Sequence, residues 1–186
     1  MLTRHQWIDA AYASVRDRPD ATVTVDGVAH TLGATKGSFY HHFNSGIELV
    51  LEVLTRHESD TEAIVNSARK IADPRARMRA FIIAAFTGIS YMNVEGFLMD
   101  EEVTDTEIGK LGMRAGHAVN QCMQGTLIEC GATPDTAKRL LPLLRTSYVG
   151  VALSRRFNER TWRQDDLKDL AEMLWKSVEG AIDSHA

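Results

Sequence analysis

Apolar residues recur at spacings of three and four along almost the whole chain, the period of an α-helix with one buried face. Each run is bracketed by residues that start or stop helices. Thr3 and Gln6 read as a capping box, and Trp7, Ile8, Ala11 and Val15 then follow one face until Pro19. Thr24 caps a short helix with Val25, Val28, Ala29 and Leu32 on one side, closed by Gly33. Thr35 caps a third from Lys36 to His42, carrying Phe39 and Phe43. Ser45 and Glu48 form a further capping box, opening a long helix with Ile47, Val50, Leu51 and Leu54 inward and predicted to reach about Ile71. Asp73-Pro74 is an N-cap followed by a first-turn proline, leading into Met78, Phe81, Ile82, Ala85, Phe86 and Ile89. Beyond the break at Gly96 a short helix through Phe97, Leu98 and Val103 is expected. Thr104 with Glu107 then starts a long one through Ile108, Leu111, Ala115, Val119, Cys122 and Leu127 to Gly131. Thr133-Pro134 opens the next, with Ala137, Leu140, Leu141, Leu144, Tyr148 and Val151; Pro142 is expected to kink it or split off its first two turns. Asp165 begins the last, through Leu167, Leu170, Ala171, Leu174, Val178 and Ile182. The expectation is an all-α chain of about nine helices. Val23-Thr24-Val25 is too short and too well capped to be a strand.

At 186 residues, 44% hydrophobic and 25% charged, the chain can bury a core and is not expected to be disordered. No apolar run approaches the roughly 18 residues of a membrane span, and the first residues carry no apolar signal core. Cys122 and Cys130 lie about 12 Å apart along a helix at about 1.5 Å per residue, too far for a mutual disulfide. These features predict a cytoplasmic protein. The net charge of −4 argues against a generic polyanion binder. Within residues 1–50, Arg4, Arg16, Arg18 and Lys36 stand against Asp9, Asp17, Asp20, Asp26 and Glu48, four minus five, or −1. Any DNA binding must therefore come from local geometry.

Chemistry-bearing motifs are absent: no P-loop, G-x-G-x-x-G, H-E-x-x-H, C-x-x-C or G-x-S-x-G occurs. Asp100, Glu101 and Glu102 point in different directions on a helix and read as a solvated face. His117 and Cys122 are five apart, off the i, i+4 spacing that suits two ligands on one face. Neither catalysis, a metal nor a cofactor is expected.

The informative stretch is Thr24 to Leu49. A short capped helix, a glycine-bearing turn and a second short helix describe a helix-turn-helix, whose second helix can enter the major groove. Phe39 and Phe43, at i and i+4, can fix that helix against the Val28/Leu32 side of its predecessor. Gly37 has no Cβ to keep the backbone from a base or sugar. Thr24, Thr35, Ser38 and Tyr40 offer hydroxyls, and Lys36 and His41 reach outward. Ala29, Gly33, Ala34, Thr35, Gly37, Ser38, Phe39, Tyr40, His42, Phe43, Ser45 and Leu49 match the pattern of the tetracycline-repressor (TetR) family over 26 residues. The chain resembles that family. The resemblance implies DNA contacts by Thr24, Thr35, Lys36, Gly37, Ser38, Tyr40, His41 and His42. One position departs: where the family usually has a lysine that holds a phosphate, this chain has Gly46.

The resemblance also implies a head, residues 1–46, and a ligand-binding and dimerising body, residues 47–186. The body is rich in methionine and aromatic residues, most of which read individually as core; methionines also suit cavities that accept varied ligands. Candidate ligand-facing residues are Ile64, Ile82, Phe86, Met92, Met99, Val119, Cys122 and Tyr148. Candidate dimer-seam residues are Gly150, Leu174, Trp175 and Val178. The expected function is a homodimeric, DNA-binding regulator, a repressor released from a palindromic operator by a small, largely apolar molecule. The rival is a small-molecule-binding helical protein with a vestigial DNA unit, which the missing lysine and poor basicity would favour.

Overall fold

Backbone N–H groups at a helix start have no partner inside the helix, so the residues that can accept from them fix where helices begin. The computed structural model describes residues 2–18, 20–88, 92–94, 97, 107–157 and 162–184, with the backbone alone for 107–115. Among these residues the chain forms α1 (Arg4–Asp17), α2 (Val25–Thr31), α3 (Lys36–Tyr40), α4 (Gly46–Ala68), α5 (Pro74–Thr87), α6 (Glu107–Glu129), α7 (Pro134–Arg156) and α8 (Gln164–Asp183), with residues 92–94 helical and no strand. Thr3 accepts from the Gln6 N–H and Gln6 accepts from the Thr3 N–H, the reciprocal box expected. Asp73 and Thr133 cap α5 and α7 through the amides of Ala76 and Thr136. The all-α expectation holds.

Four details differ from the sequence reading. The box at α4 is displaced by one residue: Ser45 accepts from Glu48, but the Glu48 carboxylate reaches back to the Asn44 N–H at 2.7 Å. Pro142 does not divide α7, which runs unbroken from Pro134 to Arg156. The last helix begins one residue early, and Asp166 rather than Asp165 accepts the Arg163 N–H. At its other end α4 closes at Ala68, and the amides of Lys70 and Ile71 bond three residues back, the tightening common at a helix end. The predicted short helix through Val103 and the Thr104 cap lie mostly outside the described residues.

Glycine is required at two turns. Gly33 (φ 61°) and Gly131 (φ 101°) occupy the left-handed region just past α2 and α6. Ala34 donates to the Ala29 carbonyl and Gly33 to that of His30, while Ala132 donates to Leu127 and Gly131 to Ile128. Both are Schellman closures, which satisfy carbonyls the helix leaves open.

Two main cores result. In the head, Trp7, Ala11, Val15, Val28, Ala29, Phe39, Phe43, Leu49 and Val53 are buried together. Phe39 meets Trp7 edge-on at 5.3 Å and stacks on Phe43 at 4.9 Å. Thus α1 also holds α3, through the Trp7–Phe39 contact. The Arg4 guanidinium lies 4.6 Å over the Phe43 ring and pairs with Glu48 and Glu52, binding α1 to the start of α4. The body core joins Met78, Ile82, Phe86, Met92, Leu127, Leu144, Leu167, Trp175 and Ile182. There α5 packs on α8 and α6, with Arg75–Asp183 and Arg79–Glu172 pairs tying α5 to α8. The helix α4 belongs to both parts: Leu49 and Val53 lie in the head, and Val65 packs with Phe81 and Cys122. Among the described residues no helix is long and apolar enough to cross a membrane.

Candidate nucleic-acid interface

With Phe39 fully buried, the rest of α3 turns outward. Lys36, Gly37, Tyr40 and His41 are all exposed, and at i, i+1, i+4 and i+5 they share one face. Tyr40 is 58% exposed and held edge-on to Phe39 at 5.1 Å, so its hydroxyl is presented on an anchored ring. Thr24 and Thr35 are the N-caps of α2 and α3; each oxygen accepts a backbone N–H, from Gly27 at 3.1 Å and Ser38 at 3.2 Å. Their hydroxyl hydrogens remain available to donate. Ser38 and His42 are half-buried at the edges of this face. All eight residues named from the sequence therefore sit at or beside the exposed side of α3 and the adjacent helix starts.

Gly37 is informative for what it does not do. A Cβ there would meet only the Thr35 hydroxyl oxygen, at 3.7 Å, an ordinary contact. Nothing in the fold requires glycine at this exposed position. Gly46 is the opposite case. A Cβ there would lie 3.3 Å from Cγ2 of Val25, so the glycine lets the start of α4 seat tightly on α2.

The charge pattern holds a residue the sequence reading passed over. Lys36 reaches outward but pairs with Asp26 on α2 at 2.8 Å, and that hydrogen bond raises its pKa above the ordinary lysine value. Arg4 and Arg16 are likewise paired, with Glu48 and Glu52 and with Asp17. Three of the four basic side chains of the head are thus paired with acids, two within the head and Arg4 with the start of α4. Ten residues separate Asp26 from Lys36 across a turn, and no helical spacing announces the pair.

The proposed ligand-facing residues fall into separate groups. Ile82, Phe86 and Met92 are buried in the body core, and Tyr148 packs edge-on against Phe86 at 5.9 Å. Cys122, with Val119 beside it, lies in a second cluster with Val65 and Phe81. Ile64 is a correction: it is 40% exposed, because Thr61, Val65 and Ala68 take the inward positions on α4. Met99 lies outside the described residues. A cleft of about 280 Å³ does open between α4 and α6, but Glu62, Val65, Asn66, Arg69, Ala118 and Gln121 line it.

The dimer-seam residues divide too. Trp175 and Val178 are buried in the chain's own core and do not face outward. Leu174 is half-buried, while Gly150 is exposed with open space around it. Leu143 and Met173 are the large apolar groups that the outer faces of α7 and α8 do expose, at 47% and 66%.

Residues 8–53 match the family model described as bacterial regulatory proteins, tetR family. The chain also aligns with curated relatives over nearly half its length. The HTH-type transcriptional activator FasR of Mycolicibacterium smegmatis is 36% identical over 89 residues, 47% of this chain and 41% of that protein. The HTH-type transcriptional regulator TtgR of Pseudomonas putida is 35% identical over 86 residues, 45% of this chain and 41% of that protein. The chain thus spans about two-fifths of the length of the curated relatives it matches. Solved structures extend the likeness of fold to nearly the whole chain. A TetR-family regulator from Streptomyces coelicolor has a TM-score of 0.75 at 15% identity, covering 97% of this chain and 94% of that one. FadR from Bacillus subtilis, solved with stearoyl-CoA, has 0.69 at 14%, covering 97% and 100%. A regulator from Saccharomonospora viridis, solved with choline, has 0.74 at 19%, covering 93% and 95%.

Proposed function

We propose that the chain is a ligand-responsive transcriptional regulator that binds DNA as a homodimer and releases it when a small molecule enters the body. The outward face of α3 carries this reading. It brings hydroxyls, one lysine and a glycine the fold does not need onto one surface anchored from behind by Phe39. A helix of this length reads few base pairs, so two heads on successive major grooves are needed for specificity. The division into a head of residues 1–46 and a body of 47–186 is functional, with α4 rooted in both.

The dimer seam is assigned to the outer faces of α7 and α8, where Leu143, Gly150, Met173 and Gly180 are exposed, in place of Trp175 and Val178. Repression is the simplest mode for a regulator whose ligand lowers DNA affinity. The stearoyl-CoA held by FadR and the choline held by the Saccharomonospora protein support a small-molecule effector here. The rival, a binding protein with an idle head, draws support from the Lys36–Asp26 pair. A gel-shift with the DNA upstream of the chain's own gene separates the two. Specific retardation that Tyr40→Phe and Lys36→Ala both weaken, without loss of folding, is the expected result. A folded dimer that retards this DNA no better than unrelated DNA would leave the rival standing.

A further inference from the structure

Most arginines whose side chains are described here meet an acid: Arg4, Arg16, Arg56, Arg75, Arg77, Arg79 and Arg163 all do. Arg155, in the last turn of α7, is half-buried and does not. Its Nε and Nη2 both donate to one neutral acceptor, Oδ1 of Asn93, at 3.3 and 3.1 Å, and no carboxylate pairs with it among the described residues. Burial depresses its pKa, and no neighbouring acid offsets the effect. A guanidinium has five donors in a planar fork suited to carboxylate and phosphate, and a cation taken from water without a counter-charge is costly.

The position is as informative as the charge. Arg155 lies seven residues after Tyr148, two turns along the same face of α7 and about 10 Å away. Tyr148 packs on Phe86, and Met92, next to Asn93, is fully buried in the same core. An apolar stripe of the body therefore ends, on its head-facing side, in an uncompensated cation.

We propose that Arg155 is the anchor for the acidic group of the effector, an amphiphile with a carboxylate head whose apolar tail runs along Tyr148, Phe86 and Met92. This rests on the regulator reading above and adds the effector's class and the place where its charge is felt. Asn93 also donates its Nδ2 to the Arg16 carbonyl at the end of α1, at 2.8 Å. Arg155, Asn93 and Arg16 thus form a bridge from α7 to the head. Beside it, Arg156 donates to the Ala21 carbonyl at 2.5 Å, and Val94 and Phe97 lie in the head's own core. An anion that draws the guanidinium from Oδ1 breaks the bridge, so binding at Arg155 is sensed by α1 directly as well as through α4.

The test uses the full chain and four probes sharing one tail: decanoate, decyl phosphate, decanol and decyltrimethylammonium. Binding is measured by calorimetry to the parent, Arg155→Gln and Arg155→Lys, with melting curves confirming that each is folded. Decanoate is expected to bind the parent at least about tenfold tighter than decanol, as a charge-assisted hydrogen bond supplies. That ratio should fall to near one in Arg155→Gln and survive in part in Arg155→Lys. Decyl phosphate binding tighter than decanoate would assign the site to phosphate heads and overturn the carboxylate. Equal binding of decanoate and decanol, a ratio unchanged in Arg155→Gln, or no binding of decanoate at millimolar concentration would overturn the anchor. Operator binding by the ligand-free parent reports separately on the regulator reading. A parent that binds its operator and releases it as readily to decanol as to decanoate keeps that reading and loses this inference.

Discussion

Lys36 is the one cation in the sequence of α3, and it is held by an acid of the same head. The Lys36–Asp26 pair is 2.8 Å long, with both side chains more than half exposed. Exposed pairs of this kind are worth about 0.2–1 kcal/mol, less as salt rises. Asp26 competes with any phosphate for the Lys36 ammonium and adds a negative charge beside it. Asp26→Asn keeps the shape and removes the competitor. The affinity gain is then up to about fivefold per head, or up to about 30-fold for two heads. If Lys36 becomes a new phosphate contact, the slope of log K against log salt steepens by about 0.9 per head. A cost appears elsewhere: Asp26 lies in the first turn of α2, where a carboxylate favours the helix by about 0.3–1 kcal/mol, so the melting temperature should fall slightly. Fluorescence anisotropy with operator DNA across a salt series measures this, with Lys36→Ala and the double variant completing a cycle. Binding equal to the parent would refute the reasoning, as would tightening that persists when Lys36 is already alanine.

Gly46→Lys should steepen the salt slope by about 0.9 per head, about 12-fold in affinity for two heads over a fourfold rise in salt, while Gly46→Ala isolates the crowding against Val25. An unchanged slope in a folded Gly46→Lys protein would place this helix start away from the DNA backbone. Gly33→Ala meets no atom within 4 Å, so its cost is the left-handed backbone alone, about 1–2 kcal/mol by denaturant unfolding. A neutral outcome would mean the turn after α2 relaxes. The Asn44 N–H, and after it Arg4, holds the Glu48 carboxyl below its ordinary value. A depressed carboxyl stabilises above its unfolded pKa, about 4.3, and that contribution is lost as pH falls through the lower folded value. Melting curves between about pH 5 and 3 should therefore fall less steeply for Glu48→Gln than for the parent; parallel curves would show that Glu48 does not anchor this hinge.

Much of the head was legible because its determinants are local. Thr3, Thr24, Thr35, Ser45, Asp73 and Thr133 each act within three residues of themselves, and Gly33 closes α2 through bonds spanning five residues. The matches from Ala29 to Leu49 located the exposed face of α3 for the same reason. What the sequence concealed is tertiary. Ile64 and Val65 are adjacent and equally apolar, and only the direction of α6 decides which is buried. Trp175 and Val178 share the apolar stripe of α8 and are buried in the chain's own core, where α8 packs on α5. The pair of Lys36 with Asp26 and the bridge from Arg155 through Asn93 to Arg16 join residues with no periodic relation. Pro142 does not split α7, because a helix packed along its length can lose one hydrogen bond and continue.

The central claim is that the exposed face of α3 reads DNA from two heads related by a twofold axis. Hydroxyl-radical footprinting on a site selected from the chain's own upstream DNA tests it most directly. The account predicts two protected patches with their centres about one helical turn, roughly 34–36 Å, apart, both lost together in Tyr40→Phe. A single patch, or two that persist unchanged in Tyr40→Phe and Lys36→Ala, would contradict it.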